Sequence, residues 1–102
     1  MRKLAEEFAA EVYRRKEEGK KWMSGNFYDN AAQYSFDYEL DYDYDGAEKF
    51  WKVILYTVLL LDDDGRVCGC MSPEKKKDLK IEIAGALNSV GLDMDIHVAN
   101  GE

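Results

Sequence analysis

Apolar residues recur at three- and four-residue spacing at the start of the chain. Leu4, Ala5, Phe8, Ala9, Val12 and Tyr13 form one stripe over residues 2–18 and predict an amphipathic helix. Glu11 and Arg15 stand four apart in the favourable orientation for a helical ion pair, and Gly19 supplies a stop. Residues 22–33 show no such period. Ser24, Gly25, Asn26, Asp29 and Asn30 mark them as a loop.

Residues 34–44 then alternate without a break. Tyr34, Phe36, Tyr38, Leu40, Tyr42 and Tyr44 fall on one side, and Ser35, Asp37, Glu39, Asp41 and Asp43 on the other, which is the period of a strand. Asp45-Gly46 is a turn signal. Residues 50–61 are rich in Val, Ile, Tyr and Thr and read as a second strand, although a buried helix over 47–61 fits the spacing of Phe50, Trp51, Ile54, Leu55 and Val58 as well. As a strand it is apolar on both sides. Phe50, Ile54, Tyr56, Val58 and Leu60 share one face; Trp51, Val53, Leu55, Leu59 and Leu61 share the other. Such a strand is covered twice, by a helix on each face or by a second copy of the chain, so a homodimer is one expectation.

A second turn at Asp62-Asp63-Asp64-Gly65 leads to a short strand over 66–71. Ser72-Pro73 opens a second helix, with Leu79, Ile83, Ala86, Leu87 and Val90 as its stripe and Gly91 as its end. Residues 92–98 alternate again, with Leu92, Met94, Ile96 and Val98 inward and Asp93, Asp95 and His97 outward. The order α-β-β-β-α-β predicts an α+β fold, a small antiparallel sheet with two helices packed mainly on one face, built as a single domain over 1–102.

Composition changes this picture in one respect. The chain has 102 residues, 34% of them charged, and a formal net charge of −7. Residues 29–48 hold seven acids and no base, a charge equal to the whole molecular excess. Direct binding to nucleic acid is therefore not expected. The longest uncharged apolar run, residues 53–61, is nine residues long, far short of the roughly 20 of a membrane span. Arg2 and Lys3 are followed by Glu6 and Glu7 before any apolar stretch, unlike a secretory signal. A cytoplasmic protein without membrane partners is expected. Cys68 and Cys70 read as small reduced core residues.

The acids of the first strand are its distinctive chemistry. Asp37, Glu39, Asp41 and Asp43 recur every two residues, with Asp45 at the end, so neighbours stand about 6.7 Å apart. At that distance in water each neighbouring pair repels by roughly 0.6 kcal/mol before screening. Either the row protects an acidic edge strand from aggregation, or it serves a partner. A carboxylate row resembles a nucleic-acid backbone in potential, and would attract the Lys/Arg groove of a nuclease or an interference effector. Tyr42 and Tyr44, interleaved with the acids, would join the contact. The expected function is that of a small acidic non-enzymatic binding protein. In its most concrete form it is a nucleic-acid-mimicking inhibitor of the anti-restriction or anti-CRISPR type, as phages and mobile elements use, with no cofactor and a basic nucleic-acid-binding protein or nuclease as partner. An immunity protein or an oligomerisation domain uses the same physics.

Two chemical alternatives compete. Asp41-x-Asp43-x-Asp45-Gly46 matches the first half of an EF-hand calcium loop, but Lys52 stands where the bidentate Glu belongs, and a helix over 47–61 would be needed. His97 shares a face with Asp93 and Asp95, an arrangement found on many solvated strands. Lys75, Lys76, Lys77 and Lys80 read as a solvated basic run. No phosphate loop, Cys-His pair or nucleophile elbow is present, so no catalytic residue and no metal ligand is assigned.

Overall fold

A computed structural model describes residues 2–29 and 32–99. Its elements are helix α1 (Arg2–Arg15), a 3-10 turn at Lys16–Glu18, strands β1 (Lys21–Asp29), β2 (Ala32–Asp45), β3 (Glu48–Leu61) and β4 (Val67–Cys70), helix α2 (Pro73–Ser89) and strand β5 (Asp95–Val98). The class is α+β, as the patterning predicts. Among the described residues the sheet has five strands rather than four, in the order β1-β2-β3-β4, with β5 also on β3. The β1–β2, β2–β3 and β3–β4 pairs are antiparallel, as expected, and the short β5 joins β3 in parallel.

The additional strand is β1, which lies where the sequence reads as a loop. Its buried positions are Met23 and Phe27, two apolar residues separated by Gly25, so the alternation is too sparse to recognise. Gly25 sits where a side chain would be crowded. A Cβ at this position would lie 2.9 Å from Glu11 Oε2 and 3.1 Å from the Phe27 ring, so the glycine makes room for α1 to lie against the strand. Asn30, taken as a loop marker, lies outside the described residues.

Residues 48–61 form a strand and not a helix. Their division between faces differs from simple alternation. Asp37 pairs with Thr57 while Tyr38 pairs with Leu55, so Tyr56 is an extra residue on β3 and a bulge reverses the pattern beyond it. Val53, Leu55 and Val58 are buried together, with Trp51 and Leu60 packed beside them; Val58 and Leu60 therefore leave the face assigned to them by counting. The connection from β2 is a two-residue turn, Gly46-Ala47, between the paired Asp45 and Glu48. Gly46 takes φ +66° at its first central position, as tight hairpin turns require.

Both helices pack on one face of this sheet. Phe8 of α1 sits among three rings, with centroids 5.4 Å from Phe27, 5.1 Å from Phe36 and 4.9 Å from Tyr38. Leu4, Ala5, Ala9 and Val12 are buried beside it, while Tyr13, the last of the predicted stripe, is exposed. Helix α2 contributes Leu79, Ile83, Ala86 and Leu87. Its start is capped by Ser72 Oγ, which accepts from the Lys75 amide, with Pro73 at the first position. Its end is a Schellman motif around Gly91 (φ +79°), in which the Leu92 amide donates to Leu87 O and the Gly91 amide to Asn88 O. Ile96 and Val98 of β5 complete the same core. Of the two covers expected for β3, a helix on each face does not form: among the described residues the second face of β3 has no helix over it.

Cys68 and Cys70 are exposed on β4 and are not core residues, because β4 touches only the last residues of β3. Lys76, read as part of a solvated run, is buried.

Two substitutions test this packing. Gly25→Ala should lower the urea unfolding midpoint and cost about 1–3 kcal/mol, as overpacking does. Tyr38→Phe should leave stability equal or higher, since the Tyr38 hydroxyl is fully buried and makes no hydrogen bond among the described residues. Burial, and then the charge of Glu11, push that phenol up to about 12, while the Glu11 carboxylate itself is taken by Arg14 and Arg15.

Candidate acidic sheet face

The odd-numbered residues of β2 point away from the helices, as their alternation predicts. The part of the strand that carries Asp37 and Glu39 is not an edge, however. Over residues 32–40 β2 lies between β1 and β3, so the reading of an aggregation-resistant acidic edge is corrected there, whereas Asp41, Asp43 and Asp45 lie beyond the β1 pairing and have a strand partner on the β3 side alone. Cross-strand register places Asp37 between Ser24 and Thr57, Glu39 between Trp22 and Ile54, Asp41 opposite Lys52, and Asp43 opposite Phe50. Asp95 and His97 of β5, beside Lys52 and Ile54, extend the same face and are exposed.

This register divides the row in two. Asp41 is nearly buried, because Lys20, just before β1, and Lys52 of β3 close over it at 2.8 Å and 3.6 Å. Lys52 also bonds Asp43 Oδ2 at 3.0 Å. The Tyr42 amide donates to Asp41 Oδ1. The hydrogen bond from Lys20 is the main reason why the Asp41 carboxyl is held below its ordinary range. In turn Lys20 is held above its ordinary value chiefly by Asp41, and Lys52 chiefly by Asp43. Two members of the row are thus spent inside the chain.

The other half has a different environment. Glu39 Oε1 accepts a 2.8 Å hydrogen bond from the Tyr56 hydroxyl, which raises the Tyr56 pKa. The Tyr56 ring stacks on Trp22 at a centroid distance of 4.3 Å and 9° between planes, and Trp22 remains 59% exposed. Asp37 has no ion-pair partner among the described residues. Half-buried Ile54, Leu59 and Leu61 lie on the same open face. Trp22 and Tyr56 belong to the surface although sequence reasoning passed over them. Trp22 was lost with β1, and Tyr56 is brought beside it by the bulge.

The remaining predicted residues lie on the far part of the β2–β3 hairpin. Asp45 is exposed beside the turn. Tyr42 and Tyr44 point to the helix side, opposite the carboxylates, so the row and its tyrosines present two different faces. In the segment that resembles an EF-hand, Asp41 and Asp43 are held by lysines on a strand, and the residues after Gly46 continue as a strand instead of the required helix. Among the described residues no three His, Cys, Asp or Glu side chains form a group that could hold a metal ion. Nor is any helix among them long and apolar enough to cross a membrane.

The chain matches no protein-family model, and no curated protein or solved structure is significantly similar to it.

The Asp41 pairs make a pH prediction with a definite sign. The folded pKa lies below the ordinary 3.8, so the carboxylate stabilises the fold above that pH, and the contribution is lost as pH falls through the lowered value. Asp41→Asn should have the lower urea midpoint at pH 7, and the gap to the parent should close in a pH series run down to strong acid. A gap of constant size would show that packing, not charge, holds this site.

Proposed function

We propose that this protein is a non-enzymatic binding module whose uncovered sheet face takes a basic protein surface. The observation that carries the reading is the meeting of Asp37 and Glu39 with the Trp22–Tyr56 stack on the face that neither helix covers. Aromatic rings supply the apolar area that a stable contact needs, and carboxylates select a cationic partner and speed its approach. A second copy of the chain is the weaker occupant of this face. It would set Asp37, Glu39 and Asp95 against the same groups, between two molecules each of net charge −7.

Inhibition by occupying a nucleic-acid groove is the most concrete form of this function. The anionic stretch available for it is shorter than the sequence suggests, since Lys20 and Lys52 neutralise Asp41 and Asp43. Mimicry of a phosphate backbone then rests on Asp37, Glu39 and Asp95 on the sheet and Asp45 at the hairpin end. The spacing of Asp37 and Glu39, about 6.7 Å, is set by two strand rises. An immunity protein against a basic toxin would use the same face.

The test is a double substitution that spares the internal ion pairs. Asp37→Asn with Glu39→Gln should leave the unfolding midpoint within a small margin of the parent and weaken capture of a basic nucleic-acid-binding partner by at least tenfold. Capture by the parent should fall steeply with salt, and a double-stranded DNA duplex should compete for the partner. Capture that resists both salt and DNA, or that survives the double substitution, would refute the reading. A dimer in sedimentation equilibrium that the double substitution strengthens would assign the face to self-association.

A further inference from the structure

The β2–β3 hairpin extends past the helices as an arm. From Asp43 to Phe50 every residue is exposed, and the molecule measures 46 Å along its longest axis against 25 and 23 Å across. The helix-side face of this arm carries Tyr42 opposite Trp51 and Tyr44 opposite Lys49. The Tyr42 and Trp51 rings meet at 64° with centroids 5.2 Å apart, which makes a corner with two aromatic walls. Tyr44 stands against Tyr42 at 86°. The Lys49 ammonium lies in that corner, 4.0 Å from the Tyr42 centroid and 4.7 Å from that of Trp51.

Asp45 and Glu48 flank the same turn but project to the opposite face, so the Lys49 side meets rings and no carboxylate of the hairpin. Lys49 has no ion-pair partner among the described residues, and its charge is held by the two ring faces. The corner is therefore a working cation seat, filled from within the chain. A flat guanidinium suits such a seat better than an ammonium, since it stacks on ring faces and is more weakly hydrated.

We propose that the Tyr42–Trp51 corner receives an arginine side chain of the basic partner, and that Lys49 holds the seat until that arginine displaces it. The proposal rests on the reading that the partner is basic, and deepens it. Asp45 and Glu48 stand on one side of the arm and the rings on the other, so the arm enters a basic groove and is gripped from both sides. Lys49 is then a built-in competitor, whose removal should strengthen binding.

A hexa-arginine peptide serves as the probe, with NMR of the aromatic rings and calorimetry as readouts. Adding peptide should shift the Tyr42 and Trp51 ring signals. Lys49→Gln should bind the peptide about three- to fivefold more tightly, in line with the removal of one exposed cation–π contact. Lys75→Gln, which removes the same charge from α2, should change affinity less than twofold. Tyr42→Leu, and Trp51→Leu in parallel should one of them disturb the fold, should weaken binding relative to the parent. If the peptide shifts signals around Asp37 and Glu39 but not those of Tyr42 and Trp51, and Lys49→Gln behaves like Lys75→Gln, the seat is refuted and the acidic-face reading stands. If the peptide does not bind at all, both fall.

Discussion

The Phe8 ring, set among Phe27, Phe36 and Tyr38, is the contact on which the rest of this structure depends. It joins α1 to β1 and β2 at once and fixes which side of the sheet is the core. Helix α2 and the inward residues of β5 then fill the same side, because they have no other apolar surface to meet. Among the described residues two helices cover one face of a five-stranded sheet and leave none for the other. The outward residues of β2 thereby lie outside the apolar core, and acids can occupy them at little desolvation cost. At the same position Gly25 gives up the stability of a side chain so that the helix can come close, with Glu11 lodged above it.

An interior strand treats its charges differently from an edge strand. At an edge, a row of carboxylates has water on one flank and relieves its repulsion only through screening. Here Asp37 and Glu39 have a residue of β1 on one side and of β3 on the other, Asp41 is reached by Lys20 from the approach to β1, and Asp43 and Asp45 pair with β3 alone. Where lysines reach them, at Asp41 and Asp43, the charge is paired, and Asp41 is also withdrawn from water while Asp43 stays exposed. Where the neighbours are Ser24, Thr57, Trp22 and Ile54, the charge stays on the surface. The same strand thus carries a structural pair and an exposed pair in sequence. The boundary between them is set by which residues stand opposite, not by anything in β2 itself.

Much of the architecture is legible without coordinates. The stripe of α1, the alternation of β2, the Ser72-Pro73 start and the Gly91 stop of α2 all depend on neighbours within four residues, and local chemistry decides them. β1 is not legible, because Ser24, Gly25 and Asn26 are turn formers by propensity and become strand only when Phe8 and β2 hold them. The reversal of faces within β3 is hidden for a related reason. One extra residue, Tyr56, changes the side on which every later residue falls, and no local feature of the sequence marks it.

The acidic surface divides in the same way. Sequence alone determined that the carboxylates would share one face at strand spacing, since alternation is a property of the backbone. Tertiary structure alone decided that Lys20 and Lys52 would reach Asp41, that Trp22 would stack on Tyr56 beside Glu39, and that Lys49 would lie between Tyr42 and Trp51. The last follows from a tight turn, the others from strands of distant or unrecognised register. Periodicity is written along the chain, whereas the identity of the residue across the sheet depends on turn length, bulges and the packing that fixes them.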